Sequence, residues 1–247
     1  MAFQTVFKRY ELKYMLTLEQ KAKMLAAMEP YMKLDKYGRT TIRNIYYDTD
    51  TYLLIRRSIE KPTYKEKLRI RSYSKADADS TVFVELKKKY KHVVYKRRVS
   101  LPYTDATAWL SRERHPDKHT QIANEIDYFL DYYGSLRPTV FLTYVREAYY
   151  ANDGSDFRVT FDDNILCRQE DLSLESEVYG TPILPEGKVL MEIKCSGGIP
   201  LWMTHVLSEE KIYKTSFSKY GTAYGTLIFP QTHTTNSYQM LEVATNA

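Results

Sequence analysis

Apolar and polar residues alternate with a period of two over 68–73, 81–90, 94–101, 139–150, 157–167, 189–195 and 215–224, which predicts strands there. Helical spacing is rarer. Thr17-Leu18-Glu19-Gln20 has the form of a capping box, followed by Leu18, Ala22, Leu25 and Met28 on one face and a stop near Pro30. Asp50 is placed to cap a short helix over 51–60, with Leu53, Leu54 and Ile59 apolar and Pro62 ending it. Ile122, Ile126, Phe129 and Leu130 share a face over 120–133, with Gly134 as C-terminal cap; Trp109 belongs to a shorter helix before it, and Ile199-Pro200-Leu201 opens a last one. Segments 74–80, 151–156 and 168–187 are polar or rich in turn formers and read as connections. No linker divides the chain, so the pattern predicts one domain over 1–230 and a polar tail over 231–247.

Composition adds a β bias, because 23 tyrosines in 247 residues favour strands and amphipathic surfaces. Neither a signal peptide nor a membrane-spanning run is visible, and the expectation is a soluble, cytoplasmic protein. Cys167 and Cys195 lack any partner spacing, which argues against a disulfide framework or structural zinc. The net charge of +5 only mildly favours acidic partners.

Where the charges fall matters more than their sum. Residues two apart on a strand share a face. Arg69 and Arg71 oppose Leu68 and Ile70; Glu85, Lys87 and Lys89 oppose Val82, Val84 and Leu86; Lys96 and Arg98 oppose Val99 and Leu101. Arg158, Thr160 and Asp162 alternate with Val159 and Phe161, and Glu192 and Lys194 with Met191, Ile193 and Cys195, whereas Arg146 stands with Tyr144 and Ala148 on a less polar face. An antiparallel sheet with one solvated face would give the same parity. The near-uniform sign favours another arrangement, since like charges on neighbouring strands repel and need a compensating anion. A closed barrel with this face inward provides a place for one. Burying such cations without counter-charge would cost several kcal/mol each, on the order of a domain's whole stability for a few of them.

Arg9-Tyr10-Glu11-Leu12-Lys13-Tyr14, Tyr46-Tyr47-Asp48-Thr49, Leu68-Arg69-Ile70-Arg71, Glu85-Leu86-Lys87, Tyr144-Val145-Arg146, Arg158-Val159-Thr160-Phe161-Asp162, Met191-Glu192-Ile193-Lys194 and Ser216-Phe217-Ser218-Lys219-Tyr220 occur in this order. Together they resemble the VTC-type polyphosphate polymerase domain of the triphosphate tunnel metalloenzymes, over about residues 5–225. The resemblance implies an α+β fold: a closed eight-stranded antiparallel β-barrel, the tunnel, with helices packed outside. It implies ATP or another triphosphate and inorganic polyphosphate as partners, Mn²⁺ or Mg²⁺ as cofactor, and transfer of the γ-phosphate of ATP onto a growing chain. Carried over by position, Lys13, Arg69, Arg71, Lys87, Arg146, Arg158, Lys194 and Lys219 hold and activate the phosphates, with Arg9, Arg57, Lys96 and Arg98 as further contacts. Arg56 competes with Arg57 for its place, and Lys214 and Ser216 both lie near a second lysine position before Lys219. Glu192 is the first candidate for the metal, with Glu85 and Glu11 behind it; the alternative for Glu192 is a salt bridge to a neighbouring strand.

The usual first-strand signature, Glu-x-Glu-x-Lys, here reads Arg9-x-Glu11-x-Lys13, a departure that favours polymerisation over hydrolysis. A tripolyphosphatase or nucleoside triphosphatase, and a non-catalytic polyphosphate-binding module, are the alternatives. Phosphoryl transfer suits such residues because it needs positioning and charge neutralisation more than a nucleophilic side chain. No phosphate-binding loop of the GxxxxGK type is present, and His115 and His119 are interrupted by Pro116. Parity splits Lys87-Lys88-Lys89 and Lys96-Arg97-Arg98 between two faces, so no nucleic-acid partner is expected. A membrane-bound acceptor is possible but is not encoded in these residues.

Overall fold

In the computed structural model, residues 6–91, 93–116 and 120–230 are described, with side chains from Tyr10 onward. The predicted tail and His119 lie outside them. The molecule is an antiparallel, sheet-rich α+β fold. Eight long strands carry it: β1 (Val6–Thr17), β3 (Thr40–Asp48), β4 (Tyr64–Ser72), β5 (Thr81–Tyr90), β6 (Val93–Pro102), β7 (Arg137–Ala151), β8 (Arg158–Arg168) and β10 (Lys188–Cys195). Short strands β2 (Met32–Leu34), β9 (Thr181–Pro182) and β11 (Lys214–Thr215) add to β7, β8 and β1. Hydrogen bonds join the long strands in the series β3-β4-β5-β6-β1-β10-β8-β7, and β7 pairs also with β3.

Alternation became strand wherever one face could be buried under a helix. Leu68, Ile70, Val82, Val84 and Leu86 of β4 and β5 are fully buried against Trp109 of α3 (Tyr103–Leu110) and Ile126 and Phe129 of α4 (Gln121–Tyr133). Each such aliphatic side chain contributes about 1.5–3 kcal/mol. A second cluster packs Val159, Met191 and Ile193 of β8 and β10 against Met24 of α1 (Leu18–Met28) and Met203 of α5 (Leu201–Glu209). The opposite parity of the same strands is thereby turned away from the helices, and it is the charged one.

Local signals mostly behave as their chemistry dictates. Thr17 Oγ1 accepts from Gln20 N at 3.1 Å while Gln20 Oε1 accepts from Thr17 N at 3.0 Å, a complete capping box. Gly134 caps α4 at φ +71°. Three readings need correction. The helix expected over 51–60 is α2 (Leu53–Ile59), and Asp48 caps it rather than Asp50: its carboxylate accepts from the amides of Thr49, Leu54 and Ile55 at 2.8–3.0 Å. Asp50 instead pairs with Arg137. The strand expected over 215–224 is only β11, followed by α6 (Lys219–Ala223) and a π-turn over Tyr224–Ile228. Ser218 starts α6 by accepting from Gly221 N at 3.1 Å, and Tyr220, Ala223, Tyr224 and Ile228 are buried at a helical period that outweighs the alternation. Finally, the connection 168–187 holds β9.

That connection is ordered by Arg168, whose guanidinium lies 3.8 Å from the Phe141 ring centre and 4.0 Å from that of Tyr179 and donates to the carbonyls of Glu170, Asp171, Glu177 and Tyr179. Gly180 sits at φ +143°, where an added Cβ would lie 2.6 Å from the Cys167 carbonyl oxygen. Gly180→Ala should therefore lower stability by about 1–3 kcal/mol. The thermal midpoint reads this, and an unchanged midpoint would show that the backbone yields at no cost.

Candidate functional site

The face turned from the helices lines a cavity of about 770 Å³. From β4 come Lys65, Lys67, Arg69 and Arg71; from β5, Lys87 and Lys89; from β6, Lys96 and Arg98. β1 supplies Glu11 and Lys13, β7 Tyr144 and Arg146, β8 Arg158, and β10 Glu192 and Lys194, while the segment 214–220 brings Lys214, Ser218, Lys219 and Tyr220. Among the described lining residues fourteen are Arg or Lys and two are carboxylates, so the wall is strongly cationic. Two further carboxylates, Glu85 and Asp162, are fully buried behind it and organise it into two nodes.

At the first node, Glu85 Oε2 accepts two hydrogen bonds from Arg69 at 2.9 and 2.7 Å, and Oε1 accepts two from Arg98 at 2.9 and 2.7 Å. Lys96 reaches Oε1 at 2.5 Å. Arg71 lies 3.8 Å from Oε2 and is held by Asn44 Oδ1 and the Tyr144 hydroxyl, both at 2.9 Å; Arg69 also donates to the Tyr46 hydroxyl at 2.9 Å. Burial would raise the Glu85 carboxyl, but Lys96, Arg71, Arg69 and Arg98 hold it well below the usual carboxylate range.

At the second node, Asp162 binds Arg146 through both oxygens at 2.6 Å and Lys219 at 2.6 Å. Glu192 has Lys194 at 3.0 Å, Lys219 at 3.3 Å, and Lys13 and Arg146 at 3.5 Å. Burial opposes ionisation of Glu192, yet Lys219, Lys194, Lys13 and Arg146 prevail and keep it well below its ordinary value. Lys194 is pushed down to about 8 by burial, against Glu192. Lys219 moves the other way: Asp162 and Glu192 overcome burial and raise it. Between the nodes, Lys87 and Glu11 pair at 2.7 Å, and Glu11 falls to about 2 because Lys87 and Lys194 outweigh burial. Each node holds more cations than carboxylates. A multiply charged anion entering the cavity would complete the charge balance that the carboxylates only begin.

Lys13, Arg69, Arg71, Lys87, Lys96, Arg98, Arg146, Arg158, Lys194, Lys219, Glu11 and Glu192 thus meet on one wall. Lys214 and Ser216 both line it. Arg57 does not: it is exposed on α2, as is Arg56. The Arg9 backbone pairs with Val94, and its side chain lies outside the described residues. Outward parity holds for Lys88 and Arg97, which pair with Glu125 of α4 at 3.7 and 3.0 Å.

Sequence reasoning missed Lys65 and Lys67 because it began the strand at residue 68. Their parity with Arg69 and Arg71 was the available signal. The apolar alternation fails there because the outward residue Glu66 is polar, accepting from the hydroxyls of Tyr133 and Tyr64 at 2.7 and 2.5 Å. The anchoring role of Asp162 was also missed.

Glu85 does not suit a metal, since both oxygens are engaged by guanidinium and ammonium groups and the side chain is wholly buried. Among the described residues no group of three or more His, Cys, Asp and Glu is arranged to hold one. Glu192 and Glu11, the two carboxylates on the wall, fit a hard divalent ion as one or two oxygen ligands, with phosphate and water oxygens for the remaining positions.

Among the described residues no helix is long and apolar enough to cross a membrane. No curated protein matches this chain significantly. Among solved structures, a candidate adenylate cyclase from Bacillus halodurans is similar at 13% identity and a TM-score of 0.54, over 87% of this chain and 96% of that one. A candidate adenylyl cyclase from Hippeastrum with a dominant triphosphatase activity is 16% identical at a TM-score of 0.49, over 89% and 97%. At 13% identity the likeness to the Bacillus halodurans protein is one of fold. The sequence model of the VTC domain, by contrast, matches residues 8–228, from within β1 to the end of the π-turn, and the chain belongs to the VTC domain family.

Proposed function

We propose that this protein transfers the γ-phosphate of ATP onto an inorganic polyphosphate chain, within a tunnel walled by the eight long strands. The reading as a tunnel is supported by the pairing of β7 with both β8 and β3, and by the inward parity of the charges. The observation that carries the function is the group of Lys13, Arg146, Lys194 and Lys219 around Glu192, because spread anionic charge is what such a group neutralises. Arg146 and Lys219 are held by Asp162 in fixed orientation, so little reorganisation accompanies binding. Arg69 and Arg71, fixed by Glu85, Tyr46, Asn44 and Tyr144, present guanidinium forks to neighbouring phosphoryl oxygens. Mg²⁺ or Mn²⁺ would be held by Glu192 and Glu11 with the phosphates, and would supply Lewis-acid neutralisation of the transferred group.

The carboxylates on the wall support a phosphate acceptor over water. An attacking water must lose a proton, and a useful base titrates near the working pH. Glu11 and Glu192 are both held below the ordinary carboxylate range by their cations and suit that task poorly, and Lys194, pushed down to about 8, is engaged by Glu192 at 3.0 Å. A phosphate oxygen is already ionised and needs no base. Incubation with ATP and Mg²⁺ or Mn²⁺ should yield long-chain phosphate resolved on a gel. Orthophosphate alone would assign the protein as a triphosphatase, and neither product would leave a binding module.

A further inference from the structure

The cationic wall is not uniform. Arg69, Arg98 and Lys96 share Glu85, and Lys13, Arg146, Lys194 and Lys219 share Glu192 or Asp162. At the start of β4 that arrangement stops. Lys65 lies directly opposite Lys89, and Lys67 opposite Lys87, in the β4–β5 register. Lys65 donates to the Ser58 carbonyl at 3.0 Å and Lys67 to Ser218 Oγ at 2.9 Å, neutral oxygens in both cases. Among the described residues neither forms an ion pair. Burial together with Lys13, Lys87, Lys65 and Arg69 pushes Lys67 well below its ordinary value, and burial with Lys89, Lys13 and Lys61 lowers Lys65. Among the described residues no carboxylate is a leading influence on either lysine.

Facing lysines repel, and at these half-buried positions a ligand anion would relieve the repulsion that Glu11 relieves only for Lys87. The row from Lys65 to Arg71 covers six residues of strand, roughly 20 Å at about 3.3 Å per residue. Three phosphoryl groups joined by single bridging oxygens cannot span it. Lys67 stands next to the second node, within charge reach of Lys13 and bonded to Ser218, while Lys65 and Lys89 lie two positions farther along the paired strands, so a chain anchored at both nodes reaches Lys65 and Lys89 only if it is longer than a triphosphate.

We infer that Lys65 and Lys89, joined to the second node by Lys67, form a separate subsite, at the mouth bordered by Ser58 and Ser218, that holds the phosphates of an inorganic polyphosphate chain lying beyond the first three. This rests on the reading of the cavity as a phosphate-chain site. The subsite makes the protein discriminate by chain length: binding energy that a triphosphate leaves unused at this mouth is realised by a longer chain.

Calorimetry with tripolyphosphate and with a polyphosphate of several tens of units, on the wild type and on Lys65→Met/Lys89→Met, tests it. The wild type should bind the long chain at least tenfold more tightly. The double variant should lose most of that advantage while its affinity for tripolyphosphate changes far less, which also reports that it is folded. Lys67→Arg should retain the preference and Lys67→Met should reduce it. Equal losses for both ligands, or no loss for either, would overturn the subsite while leaving the phosphate reading intact. Failure of the wild type to bind either ligand would overturn both. Single-stranded DNA binding that matches polyphosphate and falls in the same variants would assign the mouth to nucleic acid instead.

Discussion

Glu192→Gln should abolish turnover while strengthening anion binding. These effects have opposite signs because the carboxylate does two things. As an oxygen ligand facing the cavity it is the first candidate to hold a divalent ion, and an amide is a poor replacement for it. Loss of at least a hundredfold in the rate of phosphate release or polymerisation from ATP is the expected size, comparable to the removal of one preorganised electrostatic group from a transition state. As a counter-charge it also competes with substrate for Lys13, Arg146, Lys194 and Lys219. Removing its charge leaves those four short of an anion, so tripolyphosphate measured without metal should bind more tightly. Unchanged turnover would remove Glu192 from the chemistry; weakened binding would mean that it only orients its neighbours.

Glu85→Gln carries the largest expected effect on stability. The carboxylate is inaccessible to water and is the anion that Arg69, Arg98 and Lys96 share. Breaking a buried ion-pair group by neutralising one partner costs about 3–5 kcal/mol. In a chain of this length that lowers the thermal midpoint by roughly 10 °C. Polyphosphate should restore much of the loss in the variant, and more than it adds to the wild type. The same group sets a pH dependence. Because its folded-state pKa lies well below its ordinary value, its contribution is complete above the ordinary carboxylate range and fades as pH falls beneath it. The variant should lack that acid-side decline. A midpoint within a degree or two of the wild type would show that water, rather than Glu85, neutralises the arginines.

Side-chain parity made the site legible before any contact was known, since Arg69, Arg71, Lys87, Arg98 and Lys194 each sit opposite an aliphatic neighbour that packs beneath a helix. Parity does not report depth. Glu85 and Glu192 look alike in sequence, each two residues from a lysine, yet one lies behind the wall and the other on it. β3 escaped detection for a related reason: from Ile42 to Asp48 every residue is buried, so Asn44 and Tyr46 on the cavity side and Ile45 and Tyr47 on the other leave no polar rhythm to read. Arg57 shows the limit of carrying a position by order alone, because it faces solvent while the next residue on the same short helix, Ser58, lines the cavity.

The pairing of β1 with β10 has a consequence for synthesis on the ribosome. β1 holds β6 along one edge and β10 along the other, and its Lys13 meets Glu192 and the Phe217 carbonyl. β1 precedes β10 in the chain and therefore keeps an open edge until residues 188–195 have emerged, and the ammonium of Lys219 arrives later still. Loop closures over such separations are slow. Through that interval Glu11 and Lys13 guard the exposed edge, since alternating charge deters the strand-to-strand association that an apolar edge would invite. The residues that line the finished cavity thus protect the nascent chain before the cavity exists.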